Sequence, residues 1–236
     1  MRGRRSQTRS EKTNNNISMN KDDERVLCVP TADVVEIIGD KTGLIYQPEM
    51  RQKLADLVAQ ACATKKFVRR GDCETDESLL QIIPYVIYWI PDTGEFLSFS
   101  RGSKIHENRL ANKVSIGIGG HMNEEDGGNY FEALLREQRE EVSIPPEIVD
   151  IQFRVSGYLR LIKTPVDRVH FGVVHAVHVP RELRDKFLVP PDETENLKEL
   201  QWRNVVDLCA LYTAGLLEPW TVEVLSSVFT ILPRQP

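Results

Sequence analysis

Apolar positions along this chain follow two periods, and the changes from one to the other mark out its elements. Residues 48–64 (PEMRQKLADLVAQACAT) place Met50, Leu54, Leu57, Val58 and Ala61 at helical steps behind an N-terminal proline, which predicts a helix. Residues 79–90 (LLQIIPYVIYWI) are a dense run of Ile, Val and Tyr, the mark of a long buried strand, with Pro84 at a bulge or an edge. The turn chemistry of PDTG (91–94) returns EFLSFSR (95–101) as its hairpin partner. VLCV (26–29) reads as a short strand, and VVEII (34–38) as a further apolar segment.

Beyond a charged loop at 102–113, VSIGIGGH (114–121) is a strand that ends in glycines. Residues 153–162 and 168–179, joined by the turn TPVD, predict a second hairpin. PRELRDKF is a short helix, LKELQWRN (197–204) a strand, and VVDLCALY and EPWTVEVLSSVFTIL are C-terminal helices. Helices and antiparallel hairpins intermix along the chain without an internal repeat. The expected fold class is therefore α/β, a mixed sheet covered by helices. Residues 1–24 are polar and nearly free of large side chains, so they are expected to be a disordered tail. Residues 25–236 then form one domain.

Composition adds little to this picture but removes alternatives. At 41% hydrophobic and 28% charged the chain has ordinary globular usage. A net charge of -5 argues against a nucleic-acid surface. Cys28, Cys62, Cys73 and Cys209 have neither the spacing of a zinc knuckle nor that of a disulfide framework, which fits idle thiols in a reducing compartment. No apolar run reaches membrane-spanning length, and the start lacks a secretory h-region. A cytoplasmic protein is the resulting expectation.

Chemistry concentrates in residues 117–144, GIGGHMNEEDGGNYFEALLREQREEVSI. Asn129 is a suitable N-cap, with Glu132 three residues later as in a capping box. Phe131, Leu134, Leu135, Gln138 and Val142 fall on one stripe of the helix that follows, and Glu137, Glu140 and Glu141 share another face. Crowded carboxylates repel, and Arg136 and Arg139 project from other sides. A divalent cation would remove the repulsion, and oxygen donors suit magnesium or manganese. Three such glutamates alone describe a solvated helix face more often than a metal site. The glycines change that balance. Gly117, Gly119 and Gly120 close the strand, and Gly127 and Gly128 precede the cap, where backbone can approach a ligand and a helix N-terminus favours phosphate.

In this order of strand, glycine turn and acidic helix, the sequence resembles the Nudix hydrolase family. REQREEVSI (136–144) follows the second half of its signature, with Gly120 as the first glycine. IIPYVIYW and the SIGIGGH strand resemble a branch described as predicted phosphoesterases. The resemblance implies an α/β/α sandwich, its core near 77–215, with an N-terminal elaboration. It further implies metal-dependent cleavage of a phosphoanhydride or phosphoester in a small nucleotide-like molecule, a nucleoside diphosphate derivative. Magnesium or manganese is then held by Glu137, Glu140 and Glu141, Arg136 braces loop and helix by ion pairing, and a homodimer is compatible with the family. Gly119, Gly120 and His121 are the expected substrate contacts.

Three positions depart from the family pattern. Gly128 stands where the first glutamate belongs, leaving Glu124, Glu125 or Asp126 to supply that carboxylate from a longer loop. Gln138 replaces an aliphatic residue, and Ser143 the glycine that ends the helix. The altered loop also suits a catalytically weak module that senses a nucleotide. A general base is expected in PPDETENLKE (190–199), at Glu193 or Glu195. His170, His175 and His178 lie on one strand and read as core or surface histidines. Arg101 and Arg154 read as surface arginines, and Trp202 as a packing residue.

Overall fold

In chain order, strand β1 (Arg25–Pro30) leads to helix α1 (Thr31–Ile38), β2 (Gly43–Ile45), α2 (Pro48–Thr64), β3 (Phe67–Arg69) and the one-turn α3 (Arg70–Cys73). The long β4 (Leu79–Ile90) and β5 (Glu95–Arg101) follow. After them come β6 (Val114–Ser115), β7 (Gly117–Gly119), α4 (Tyr130–Glu141), β8 (Val155–Arg160), α5 (Pro165–Arg168) and β9 (His170–His178). The chain closes with β10 (Leu197–Asn204), α6 (Val205–Thr213) and α7 (Pro219–Ile231). This structure, a computed structural model, describes residues 20–101, 113–142, 144, 153–188 and 197–231. Most of the polar tail, residues 1–19, lies outside the described residues, whereas Lys21–Asp23 form a 3-10 turn.

The mixed sheet runs β10-β5-β4-β9-β8-β2, with β1 and β7 also on β4, β6 on β5 and β3 on β1. Its central pair is parallel, Gln81 to Trp89 of β4 against His170 to His178 of β9. The other pairings are antiparallel, among them the hairpins β4–β5 and β8–β9. Side chains alternate along β4. Leu80, Ile82, Val86, Tyr88 and Ile90 pack beneath α1, α2 and α4, and Tyr85 and Ile87 face Leu208 and Val224 of α6 and α7. The α/β/α sandwich follows, because the central strands are buried on both faces.

Pro84 sits in the middle of β4 rather than at a bulge or an outer edge. Its carbonyl faces β7 beneath Gly119, so its missing N–H falls on that same side. There the β1 ladder has ended at Gln81 and the β7 ladder starts at Tyr85, so no ladder bond is lost. The apolar segment VVEII gains a definite structure, and two other segments differ from expectation. VVEII lies within α1, where burial of Val34 and Ile38 at i, i+4 selects a helix. TPVD forms a capped helical turn, with the Thr164 hydroxyl 2.7 Å from Asp167 Oδ2. The glycine-ended strand is broken at Ile116 into β6, which pairs with β5, and β7, which pairs with β4.

Helix α4 docks on β4 through a stripe rotated from the one expected. Tyr130, Ala133, Leu134, Glu137 and Gln138 face inward, and Phe131 is 54% exposed. Gln138 is fully enclosed but satisfied: the Tyr88 hydroxyl donates to its Oε1 at 3.0 Å and its Nε2 donates to the Ile118 carbonyl at 3.2 Å. Tyr88 explains why an amide serves where an aliphatic residue is the family norm. Replacing Gln138 with Leu strands the Tyr88 hydroxyl and the Ile118 carbonyl, and is expected to destabilise the fold by about 1–3 kcal/mol in urea unfolding. The Tyr88→Phe change in that background should recover part of the loss, and no recovery would remove the pair from the account.

Candidate functional site

Two constraints shape the loop between β7 and α4. Any Cβ on Gly120 would collide with the Glu137 carboxylate, so the backbone there lies directly against that side chain. Gly128 has φ +81°, and a Cβ on it would come within 2.5 Å of the Cys62 carbonyl of α2. No glutamate side chain fits at Gly128, which accounts physically for its departure from the family pattern. Asn129 then caps α4, accepting from the amides of Phe131 at 3.1 Å and Glu132 at 3.4 Å.

Arg136 ties this loop to the helix. Its Nε and Nη2 donate to the two oxygens of Asp126 at 2.9 and 3.0 Å, and Nη2 also donates to the His121 carbonyl at 2.9 Å. Its Nη1 reaches Glu137 Oε1 at 2.7 Å and Glu140 Oε2 at 3.3 Å. Contrary to the helical-wheel expectation, Arg136 therefore touches two of the three glutamates. Asp126 also accepts from the Asn123 amide at 2.7 Å and is taken up as the loop's anchor. Glu124 pairs with Arg25 at 3.3 Å, and Glu125 is exposed.

The three glutamates descend from the interior to the surface. Glu137 is buried on the inward stripe, Glu141 is half-buried one turn on, and Glu140 is exposed at the rim. Burial pushes the Glu137 carboxyl up to about 7; Arg136 pulls it down, and Glu140 and Glu141 add to the rise. A buried carboxyl flanked by two more on one helix is a donor set that fits a hard divalent cation, since such an ion offsets both the burial and the repulsion. Glu193 and Glu195, the expected bases, lie outside the described residues.

His170, which reads from sequence as a core or surface histidine, meets His121, the expected substrate contact. His121 Nε2 lies 3.2 Å from His170 Nε2, and Glu74, just past α3, joins them with all ligating atoms within 4.8 Å of one another. Burial, then Arg70 and His170, hold His121 well below the ordinary histidine range, so its ring is neutral. Glu74 and His170 carry no signal in the sequence, because three distant segments bring the cluster together. His175 is a packing residue, its Nε2 2.7 Å from the Tyr130 hydroxyl, with burial lowering it to about 4. Trp202 is also structural, donating from Nε1 to the Arg184 carbonyl at 2.8 Å. A shallow surface depression lined by Lys113, Lys163 and Tyr212 lies on the α6–α7 side of the sheet, the face opposite α4. It contains none of these groups.

The fold is of the Nudix type. It superposes on the crystal structure of Tm1382, described as "a putative Nudix hydrolase", with a TM-score of 0.66 and 24% identity, covering 89% of this chain and 100% of that one. No protein-family model matches the chain. The chain is 33% identical over 211 residues to Protein YmaB of Bacillus subtilis (strain 168), across 86% of its own length and 96% of that protein. It belongs to the YmaB family. Among the described residues no helix is long and apolar enough to cross a membrane.

The packing of Gly120 on Glu137 generates a direct expectation. With Glu137 as the cation ligand proposed below, the Gly120→Ala change should displace its carboxylate and weaken Mn2+ binding roughly 10–100-fold, as loss of outer-sphere support does at metal sites. Isothermal titration with Mn2+ measures this, with circular dichroism as the check on folding. Unchanged affinity would show that Glu137 does not need its place against the loop.

Proposed function

We propose that this protein is a metal-dependent hydrolase that cleaves a phosphoanhydride or phosphoester bond in a nucleotide-like small molecule, a nucleoside diphosphate derivative. The observation that carries this reading is the buried Glu137, pressed against Gly120 and followed along one edge of α4 by Glu141 and Glu140. The residues proposed to hold magnesium or manganese are Glu137, Glu140 and Glu141. When bound, the ion supplies Lewis acidity at phosphate oxygens and eases attack of water at phosphorus.

The chain's own groups have separable roles in this reading. Arg136 fixes the loop through Asp126 and the His121 carbonyl, which holds the backbone of Gly119 and Gly120, the residues assigned to the phosphate, in one position. Glu137, in contact with Arg136, holds its carboxylate in one orientation, and the exposed Glu140 meets substrate at the rim. His121, neutral and beside the loop, can donate a hydrogen bond without adding charge. The proton released by the attacking water is assigned to Glu193 or Glu195. The resemblance to known families supports a homodimer, and the acidic balance speaks against nucleic acid as substrate.

Phosphate release from a panel of nucleotide sugars and dinucleotides with Mg2+ tests the proposal. The wild-type chain should turn over at least one substrate class, and Glu140→Gln should lower that turnover by several orders of magnitude with its circular dichroism unchanged. Tight nucleotide binding without turnover would identify a sensing module instead, and full activity of Glu140→Gln would remove the helix face from the chemistry.

A further inference from the structure

We propose that Glu74, His121 and His170 form a second cation site, for a divalent transition-metal ion of the zinc class, with ligands distinct from the glutamates of α4. The three donors come from the residue after α3, the loop following β7 and the first residue of β9, and their ligating atoms lie within 4.8 Å of one another. The two Nε2 atoms are 3.2 Å apart. Two nitrogens at about 2.0–2.1 Å from a tetrahedral ion are separated by about 3.3 Å, so the imidazoles already stand at the spacing zinc requires.

The hydrogen bond at His170 sets the tautomer that a metal needs. His170 Nδ1 lies 2.8 Å from the Val166 carbonyl, which can only accept, so Nδ1 carries the proton and Nε2 presents its lone pair toward His121. A backbone carbonyl on the far nitrogen is the usual outer support of a metal-bound imidazole. Without an ion, neutral His121 donates from Nε2 to His170; with one, its single proton moves to Nδ1 and the Nε2 lone pair turns to the ion, so the ring changes tautomer with no net loss of a proton. Arg70 Nε holds Glu74 Oε1 at 3.2 Å, fixing the carboxylate, and Glu24 Oε2 offsets that guanidinium at 3.0 Å.

Donor chemistry separates this site from the one on α4. Two imidazoles and one carboxylate suit zinc, cobalt or nickel, whereas an all-carboxylate set suits magnesium or manganese. Its position also gives it a job. The site joins the segment before β4, the start of β9 and the residue whose carbonyl Arg136 holds, so a bound ion clamps the loop that carries Gly120. The inference does not rest on the hydrolase reading.

Cobalt(II) is the probe that distinguishes the sites. The full chain, stripped with chelator, should develop a visible ligand-field band with one equivalent of Co2+, and one equivalent of Zn2+ should bleach it. The band should vanish in His121→Ala and in the milder His170→Gln, and persist in Glu140→Gln. Zn2+ should raise the melting temperature of the wild type and not of His121→Ala. If His170→Gln unfolds by circular dichroism, His121→Ala, a half-buried loop position, decides the matter. No band in the wild type, a band that survives in the folded histidine variants, or a band lost only in Glu140→Gln would overturn the proposal.

Discussion

The guanidinium of Arg136 holds together everything that gives this molecule a candidate site. From one side chain it bonds both oxygens of Asp126, the His121 carbonyl and Glu137, and it approaches Glu140. A carboxylate as enclosed as Glu137 costs several kcal/mol when it is charged and unpaired, and Arg136 offsets part of that cost. One positive charge is nevertheless set against three carboxylates. Burial opposes the charge of Arg136 itself, yet its bonds to Asp126 and Glu137 hold it firmly protonated. The remaining imbalance is the physical case for a cation beside α4.

That constraint works only because the sheet presents α4 and the glycine loop at fixed positions. β4 carries β1, β7 and β5 in succession along one edge and β9 along the other, so loops from distant segments meet over one strand. The N-terminal elaboration forms the outer wall of the loop. The Leu27 amide donates to the Met122 carbonyl at 2.9 Å, Val26 bridges to Asn123, and Arg25 pairs with Glu124 at 3.3 Å. Gly128 packs against the end of α2 from the other side. Segments outside the acidic helix thus set its geometry.

Much of the architecture was legible from periodicity because burial and period coincide in its long elements. The predicted helix 48–64 and strand 79–90 have the bounds observed for α2 and β4. Short elements were less legible: the register change at Ile116 and the helical nature of 34–38 depend on which neighbours cover them, and those neighbours are remote in sequence. On α4 the wheel placed Phe131 inside and the glutamates on a flanking face. Packing turned the helix so that Glu137 lies on the buried stripe, a choice made by Tyr88, Gly120 and Arg136 rather than by local pattern. Of the Glu74–His121–His170 cluster only His121 stood out in the sequence, by its place after the glycine turn, since Glu74 and His170 are unremarkable until three segments converge.

The account turns on whether an ion sits against the inner edge of α4. Crystals soaked in manganese and measured for anomalous scattering test that directly. The account predicts a difference peak coordinated by carboxylate oxygens of Glu137, Glu140 and Glu141, with Arg136 still on Asp126. Manganese absent from that edge, with Glu137 and Glu140 both closed on Arg136 at full soak concentration, would contradict it.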